Sequence, residues 1–498
     1  MDNVVGGKNI TADALKLEVN NQGLKVQGEA KLDEIPIVLD WTENFIKKDY
    51  KSRYNLSFKF DDQLEKKLGL NISVLDPPYI SGYADMNAEI TIFDEHRTDI
   101  ALAGTLNPMD IDFSFLGFRK PKGEKGEVSA LIKVADDKIK SISDLTLKNQ
   151  EMELQGSLSF DSKNRVNLVD INQIKGSKTN AKAKIELGYE PKIKAKINIS
   201  GESYDLSPFF EKQDNKLKEN KKNVARQVEE DENDDLEKTI DADIFIAVNN
   251  LWTNPHIAVT NFAGSAKLVN GIGIQEIHVV GNYKTGQNSM LKFDYVPRPN
   301  KEFYLSVDSN DAGATMKVLR IYDDMQGGNL KIEARRNIDK AFIGHAKIRD
   351  FNIHNTPLVA KFLTVASFRG MLDLLTGEGL AFSHLDAPFE YRRKQLMLKK
   401  AKAFGNVMGI TANGTYNRRL EELDIRGQVA PAYSLNMILG SIPIVGNLLA
   451  GKDGTVFAAD YYISGDLGDA SIQINPLSAL SPNSLKETIS SLFGMADE

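Results

Sequence analysis

The sequence predicts a mainly β protein, built from antiparallel strands, with a few short amphipathic helices near its C-terminal end. Apolar and charged residues alternate with a period of two along most of the chain, as in a sheet that buries one face. Asn and Gly residues separate many of these runs, which is typical of hairpin turns. Three later stretches, at about 355–380, 431–451 and 481–494, are instead apolar at helical spacing.

The composition limits the classes of function. The chain has 498 residues, enough for two or more domains, and its net charge of −7 argues against a nucleic-acid binder. Cysteine is absent, which excludes disulfides, thiolate metal sites and cysteine nucleophiles. The first residues lack the features of a signal peptide, and no apolar run reaches the ~18 residues expected of a membrane-spanning helix. We therefore expect a soluble chain; a truncated or split product of an exported protein would look the same.

Residues 1–210 are predicted to form strand after strand. Leu17 and Val19 alternate with charged residues and precede a turn at 20–23, which indicates a hairpin. The longest alternating run, 181–200, has its apolar residues on one parity and its lysines on the other. We expect one apolar face and one lysine-rich face, which is either simply solvated or in contact with an anionic surface or partner.

Two short helices are predicted to interrupt the strands. The first spans 61–70, with Asp61 or Asp62 as its N-cap. The second lies within 311–328 and is again followed by an alternating run. A short helix that precedes strands, twice, suggests a weak internal repeat. The alternating residues after the second helix are Leu330, Ile332 and Ala334.

The stretch 211–238 differs from its surroundings and predicts a domain boundary. Its basic residues come first and its acidic residues last, with few apolar residues between them. Such a segment gains little by ordering, so we expect a disordered or frayed helical linker. This divides the chain into a first domain at 1–210 and a second at 239–498. Strands of the second domain are predicted at 242–248, 389–398, 410–416, 423–429, 461–465 and 471–474.

The three apolar helical stretches are predicted to form a cap at the C-terminal end of the sheet. Residues 431–454 are apolar on almost every side and are broken by Gly440 and Pro443, so they suit protein burial or a membrane surface better than an uninterrupted span. Both environments stay open, as does a plain terminal cap of the hydrophobic core. The cap or membrane-contact candidates are Leu358, Phe362, Leu363, Leu372, Leu375, Leu435, Ile438, Leu439, Ile444, Leu448, Leu485 and Ile489.

No pattern of catalytic or metal-binding residues is present, so we predict a non-enzymatic protein without a metal or cofactor. The six histidines do not occur at HxxxH or HxH spacing, and there is no GxSxG nucleophile elbow. The run GIGIQE at 271–276 lacks the third glycine of a dinucleotide loop. Adjacent carboxylates such as Asp136 and Asp137 are interpreted as caps or loops. A glycosidase on a β-rich scaffold, with two carboxylates opposed in space, is not excluded by the sequence.

Four stretches of the C-terminal region resemble one protein family. They are DAGATMKVLRIYDDMQGG, NTPLVAKFLTVASFRGMLDLLTGEGLAFSHLDAPFEY, PAYSLNMILGSIPIVGNLLAG and YYISGDLGDASIQINPLSALSP, within residues 311–493. In this order they resemble the C-terminal region of the AsmA-like family, and within it the YhdP type of Gram-negative bacteria. The first two hundred residues resemble the central repeat region of that family more loosely. Family members normally begin with an inner-membrane helix, which this chain lacks.

The resemblance implies an elongated, curled antiparallel sheet that forms a U-shaped apolar groove in the periplasm. It implies transport of phospholipid between inner and outer membranes, or regulation of that transport, with acyl chains shielded in the groove. The expected partners are phospholipid acyl chains, a membrane surface at the C-terminal end and an upstream membrane-anchored polypeptide. The groove candidates, chosen for their shared parity, are Ile185, Leu187, Ile193, Ile197, Ile199, Ile244, Ile246 and Val248.

A second hypothesis belongs to a different class. An ordinary β-sandwich shows the same period-two alternation, because its apolar faces pack against a second sheet. The sequence therefore also suits a structural assembly or adhesion module with a closed core and no lipid channel. An apolar face that stays accessible to solvent favours the lipid hypothesis, and a fully packed face favours the module.

Overall fold

The protein is mainly β, as predicted, and the described strand pairings are antiparallel. The computed structural model describes residues 9–33, 35–46, 48–61, 64, 79–136, 138–211, 240–269, 273–284, 289–337, 341–354, 360, 379–405, 408–431, 459–467 and 469–475. The twelve cap candidates and all but the first residue of the predicted linker at 211–238 lie outside these residues.

The chain divides into two compact units. The first comprises residues 1–209 and 239–251, and the second comprises residues 210–238 and 252–498. The predicted partition into 1–210, 211–238 and 239–498 stays a prediction.

The described residues of the first unit form seventeen strands, β1 to β17. Their bounds are β1 Ile10–Thr11, β2 Lys16–Asn20, β3 Gly23–Leu32, β4 Ile35–Asn44, β5 Ser52–Phe60, β6 Ile80–Ser81, β7 Ala84–Ile92, β8 Arg97–Thr105, β9 Asp110–Phe113, β10 Phe118–Lys120, β11 Gly126–Ala135, β12 Lys138–Asn149, β13 Glu153–Phe160, β14 Val166–Lys175, β15 Asn180–Gly188, β16 Ile193–Asp205 and β17 Ile240–Trp252, of which 240–251 belong to this unit.

Most of these strands form an antiparallel meander. Both β1 and β2 pair with β3, and the order continues through β4, β5, β7, β8 and β11 to β16. Strands β6, β9 and β10 form a separate small sheet. The connections at one end of the strands are short turns, such as 93–96, 161–165 and 189–192. The opposite end carries the long connections, including 106–125.

In the second unit, the described residues from 258 onwards form twelve strands, β18 to β29, which pair in chain order as an antiparallel meander. A helix at Ala312–Val318 lies between β21 and β22. The strand bounds are β18 Ala258–Val269, β19 Gly273–Asn282, β20 Leu291–Pro297, β21 Phe303–Ser309, β22 Met325–Arg336, β23 Phe342–Ile353, β24 Leu380–Arg392, β25 Gln395–Gly405, β26 Met408–Asn417, β27 Glu422–Pro431, β28 Ala459–Asp466 and β29 Ser471–Asn475.

One predicted strand of the second unit, 389–398, is wrong. A turn at Arg393 and Lys394 divides it between β24 and β25. Both residues have positive φ angles, 47° and 62°, as a two-residue hairpin turn of the primed type requires. The sequence hid this turn because neither residue is Gly, Asn or Asp, the residue types that usually occupy such positions.

Short polar side chains explain where several elements begin and end. The side chain of Asn20 accepts hydrogen bonds from the backbone N–H groups of Gln22 and Gly23, which fixes the predicted first hairpin. Asp61 accepts from the N–H of Leu64 at 2.9 Å, a bond typical of an N-cap, and the rest of the predicted helix at 61–70, apart from residue 64, lies outside the described residues. Asp311 accepts from the N–H of Ala314 at 2.9 Å and caps the helix Ala312–Val318.

Candidate functional site: the apolar rows of the two sheets

An apolar row crosses the sheet of the first unit from strand to strand. The row takes one residue from each of eleven paired strands, and each is the direct partner of the next. Direct partners have Cβ atoms about 4.5–5.5 Å apart, so the row is continuous at the level of side chains. Its members are Val26, Trp41, Tyr54, Ile90, Ile100, Ile132, Ile142, Leu158, Val169, Ile185 and Ile197.

The first row keeps contact with solvent along most of its length. Val26 and Tyr54 are buried, whereas the other nine members are half-buried. A second layer of side chains packed on this face would bury such residues fully, as in a sandwich core. We call the face of each sheet that carries its apolar row the inner face. The inner face of the first unit is therefore a partly open apolar surface.

One end of the inner face of the first unit is closed by the residues 106–120, the closing segment. Phe118 and Ile111 are buried within it, and Asn149 at the end of β12 donates to the backbone carbonyl of Arg119 at 2.8 Å. The segment therefore packs across the strand ends of β11 and β12. The half-buried row members lie towards the opposite end, the open end, where the connections are short turns.

The closing segment holds a buried lysine. Lys120 is 0% exposed, and its Nζ donates to the backbone carbonyls of Met109 at 2.6 Å, Pro121 at 3.1 Å and Asn107 at 3.4 Å. Burial lowers the pKa of the Lys120 ammonium below its usual value, because the charged form loses its hydration. Three carbonyl acceptors satisfy the three ammonium protons, so this lysine organises the loop and has no donor to spare for a ligand.

A second apolar row crosses the sheet of the second unit. It again takes one residue from each strand, from β18 to β29, in direct register. Tyr295, Ala334 and Ile463 are buried, and the other members are half-buried. The members are Ala266, Ile277, Tyr295, Leu305, Ala334, Gly344, Phe389, Leu398, Gly414, Ile425, Ile463 and Ile472.

The helix Ala312–Val318, the closing helix, covers one end of the inner face of the second unit. Six of its seven residues are buried. The hydroxyl of Thr315 is 2.9 Å from that of Tyr283, and Thr253 donates to the carbonyl of Val318 at 2.8 Å. A Cβ on Gly313 would lie 2.4 Å from the carbonyl oxygen of Met325, so the helix lies directly on the backbone of β22.

Charged residues are rare on the inner faces. Among the described residues that continue the parity of the two rows, the charged ones are Glu43 in the first unit and Arg336 in the second. Glu43 accepts hydrogen bonds from the hydroxyl of Ser52 at 2.5 Å and from the indole of Trp41 at 3.3 Å. Arg336 donates to the hydroxyl of Tyr295 at 3.0 Å.

The outer faces are mainly polar, although a few apolar side chains such as Val38, Val280 and Ile343 are also exposed on them. On β15 and β16 the lysines at 182, 184, 194 and 196 are exposed, as the alternation predicts. Lys184 is paired with Glu186 at 3.1 Å, and Lys192 with Asp241 at 2.8 Å. Such exposed pairs contribute little to stability, so the outer face mainly provides solubility.

Of the eight groove candidates that the sequence predicts, five lie on β15 and β16 and three lie on β17. On β15 and β16, Ile185 pairs with Ile197 and both belong to the first row. Leu187 pairs with Ala195 and Ile199 with Ala183, on the same face. On β17, Ile244 and Ile246 are half-buried and Val248 is buried, in alternation with exposed neighbours. The twelve cap candidates lie outside the described residues.

Two inner-face residues and one segment were missed by sequence reasoning. Arg336 continues the parity of the predicted run that ends at Ala334, and Glu43 continues that of Leu39 and Trp41. This parity was the signal that identified them as inner-face positions. The closing segment 106–120 carries no comparable signal, because its strands are only a few residues long.

The described residues provide no metal site of the usual kind. Among them, no group of three or more His, Asp or Glu side chains is placed to hold a metal ion. His278 contacts Asp294 at 2.8 Å and Glu276 at 2.9 Å, and these hydrogen bonds raise the pKa of its imidazole. His96, His256, His278 and His345 are exposed, whereas His354 and His384 are half-buried.

Within the described part of the chain, no helix has the length and apolar character needed to cross a membrane. Comparison with known proteins adds no relative: no protein-family model matches the chain, and no curated protein matches it.

Proposed function

We propose that the protein is a non-enzymatic lipid-handling protein whose inner faces carry the acyl chains of phospholipids. The observation that carries this proposal is the apolar row in each unit, most of whose members are only half-buried. An acyl chain that lies along such a row removes its methylenes from water, at about 0.8 kcal/mol for each buried CH₂. No catalytic group is needed for this function.

The resemblance to the AsmA-like family extends the proposal to a cellular role. In this role the sheet curls into a U-shaped groove in the periplasm, and phospholipid moves between the inner and outer membranes of a Gram-negative envelope, or its movement is regulated. The apolar stretches at 355–380, 431–451 and 481–494 cap the groove and contact the membrane surface. An upstream membrane-anchored polypeptide is the expected partner.

The half-burial of the rows favours this function over a closed assembly or adhesion module. In a module with a packed core, residues such as Ile132 and Leu158, which lie on central strands of the sheet, would be fully buried. Both are half-buried here. The proposal thus differs from the module in a property that can be measured, the access of a lipid to the inner face.

Lipid binding by the purified chain tests the proposal. The protein is mixed with vesicles of phosphatidylethanolamine and phosphatidylglycerol, re-isolated by size exclusion, and its bound lipid is quantified by mass spectrometry. We expect bound phospholipid with the wild-type chain. With Ile185→Asp we expect clearly less bound phospholipid than with the wild type, because an unpaired carboxylate beside an acyl chain costs several kcal/mol on the inner face of the first unit, whereas the second unit still binds.

The matched control is Asn198→Asp on the outer face of β16, next to row member Ile197 and opposite Lys184. This variant introduces the same carboxylate and is expected to bind lipid like the wild type. Circular dichroism of all three proteins checks that they are folded. A folded wild-type chain that binds no phospholipid, or an Ile185→Asp chain that binds as much as the wild type, would refute the proposal.

A further inference from the structure

Arg336 is an unusual residue for its position. It ends β22 at the open end of the second unit, on the parity of Ala334 and therefore on the inner face. Its direct partners on the neighbouring strands are Phe303 and Phe342. A guanidinium on an apolar face is costly unless it has partners, so its surroundings indicate what it is for.

Three aromatic rings hold the Arg336 side chain in place. The guanidinium carbon lies 5.7 Å from the ring centre of Phe303 and 5.8 Å from that of Phe342. The ring of Tyr295 stacks on Phe303, with centres 5.0 Å apart, and its hydroxyl accepts from a guanidinium nitrogen at 3.0 Å. These contacts fix the orientation of the guanidinium and stabilise its charge without neutralising it.

The charge of Arg336 has no carboxylate partner in the described part of the chain. A similar arginine, Arg165, lies at the open end of the first unit. Arg165 stacks on Tyr189 and is also paired with Asp161 at 2.7 Å. Arg336 has the aromatic contacts but no carboxylate within 4.0 Å among the described residues. A guanidinium has five N–H donors, and one of them is used by Tyr295.

We propose that Arg336 is the binding site for the phosphate group of a bound glycerophospholipid. This inference rests on the proposed function and adds the position of the head group. A planar guanidinium matches two phosphate oxygens at once, and the remaining donors of Arg336 supply those bonds. With the phosphate at Arg336, the acyl chains lie on the neighbouring apolar row, which passes through Ala334 two residues away on the same strand.

The position at the open end suits a charged head group. Arg336 is half-buried, so the phosphate keeps part of its hydration while the chains leave water. The described residues of the second inner face offer no other cationic side chain on this parity. Arg336 therefore sets where a lipid with a phosphate stops along the row, and a lipid without one is not held there.

The test compares two lipids that differ in the phosphate. Binding of the purified full chain is measured with tail-labelled fluorescent phosphatidylglycerol and with diacylglycerol carrying the same label. For Arg336→Gln we expect phosphatidylglycerol on the second unit to bind about tenfold more weakly, the loss of about 1.4 kcal/mol that one charge-assisted contact accounts for, with binding on the first unit unchanged. Diacylglycerol is expected to bind within twofold of the wild type.

Arg335→Gln is the matched control, because Arg335 is the chain neighbour of Arg336, is exposed and lies on the outer face. It is expected to leave both affinities unchanged. Arg336→Lys, which keeps the charge without the planar fork, is expected to give an intermediate affinity for phosphatidylglycerol. Glycerol 3-phosphate is the third ligand, and we expect it to compete only at far higher concentration than the lipid.

Three results would overturn the inference. The first is an equal loss of both lipids in Arg336→Gln, which would give the arginine a purely structural role in the aromatic cluster. The second is no loss of either lipid. The third is Arg336-dependent binding of glycerol 3-phosphate as tight as that of the lipid, which would make the ligand a soluble phosphate. If the wild-type chain binds neither labelled lipid, the proposed function itself fails, which is a different result from Arg336-independent binding of both.

Discussion

The two units of the chain solve the same structural problem with different elements. Each has an inner face crossed by an apolar row, and each covers one end of that face. The first unit uses the closing segment 106–120, which is organised around the buried amine of Lys120. The second uses the closing helix Ala312–Val318, which lies on the backbone of β22.

This comparison shows that the two units differ in the elements that close their strand ends, whereas their strands are arranged alike. A sheet with one apolar face needs cover somewhere to be stable, and a short segment at one end supplies it while the rest of the row stays accessible. Among the described residues, the units also differ in the charged residue that lies on the inner face, Glu43 in the first and Arg336 in the second. The first is satisfied by neutral donors, and the second retains unused donors.

The largest expected effect comes from opening the closing segment. Phe118 is 0% exposed, so Phe118→Ala leaves a cavity and should lower the free energy of unfolding of the first unit by about 3–5 kcal/mol. Hydrogen exchange measured by mass spectrometry should show faster exchange in β11 and β12, with β22 and β23 unchanged. Equal acceleration in β22 and β23 would contradict the separate closure of the two units.

The next effect comes from displacing the closing helix. In Gly313→Ala the new Cβ would lie 2.4 Å from the carbonyl oxygen of Met325 and 2.8 Å from the Cα of Gln326, so backbone must move. We expect a loss of about 1–3 kcal/mol, larger than the helix propensity that alanine gains. The matched control is Gly188→Ala, where nothing lies within 4 Å of the added Cβ.

Denaturant unfolding of both glycine variants measures this difference. The Gly188→Ala chain should unfold at the wild-type midpoint, and the Gly313→Ala chain at a clearly lower one. Equal midpoints for Gly313→Ala and the wild type would show that the closing helix is not held tightly against β22.

The smallest effect concerns the hydrogen bond between Tyr283 and the closing helix, and it depends on pH. Burial raises the pKa of Tyr283, with a smaller contribution from the charge of Asp311. The folded chain therefore keeps the phenol proton over a range above pH 10.0 in which the unfolded chain has lost it. The stability that this provides is present below pH 10.0 and is lost as the pH rises through the folded-state value.

Tyr283→Phe removes both the hydrogen bond to the closing helix and the pH-dependent stability that the phenol proton provides. At pH 8 the variant should be less stable by about 0.5–1.5 kcal/mol, the value of one neutral hydrogen bond to Thr315. Between pH 8 and pH 11 it should lose less stability than the wild type. Tyr54→Phe is the counterpart in the first unit, where burial and the charge of Glu43 raise the pKa of Tyr54 to about 12. Parallel profiles of stability against pH for wild type and Tyr283→Phe would contradict the assignment of this pH dependence to Tyr283.

The sequence was enough to predict the strands and which of their residues share the apolar face. It was not enough to predict which residues of neighbouring strands line up as the two rows. Alternation shows that Ile185 and Ile197 each point to the apolar side of their strand. It does not show that they are direct partners, because register depends on turn geometry and on bulges. Several bulges, for example between Gln155 and Gly156, shift the pairing along the meander and bring the row into line.

The two closures and the charge at Arg336 show a second limit of the sequence. The capping aspartate and the apolar residues of 311–328 predicted a helix, yet its position on β22 depends on the close approach at Gly313, a tertiary contact. Arg336 was visible as the last residue of an alternating run, but its aromatic neighbours come from two other strands, β21 and β23. Only the folded sheet brings those rings together.

The central claim, that lipid lies on the inner faces, is tested most directly by a photo-crosslinking scan across the first row. Benzoylphenylalanine is placed at the inward positions Ile100, Ile132 and Leu158 and, as controls, at their outward chain neighbours Ala101, Lys133 and Ser159. The purified chains are irradiated with vesicles that contain radiolabelled phosphatidylethanolamine. We predict lipid adducts at the three inward positions and background labelling at the three outward ones. Equal labelling at both sets, or no adduct at any inward position, would contradict the claim.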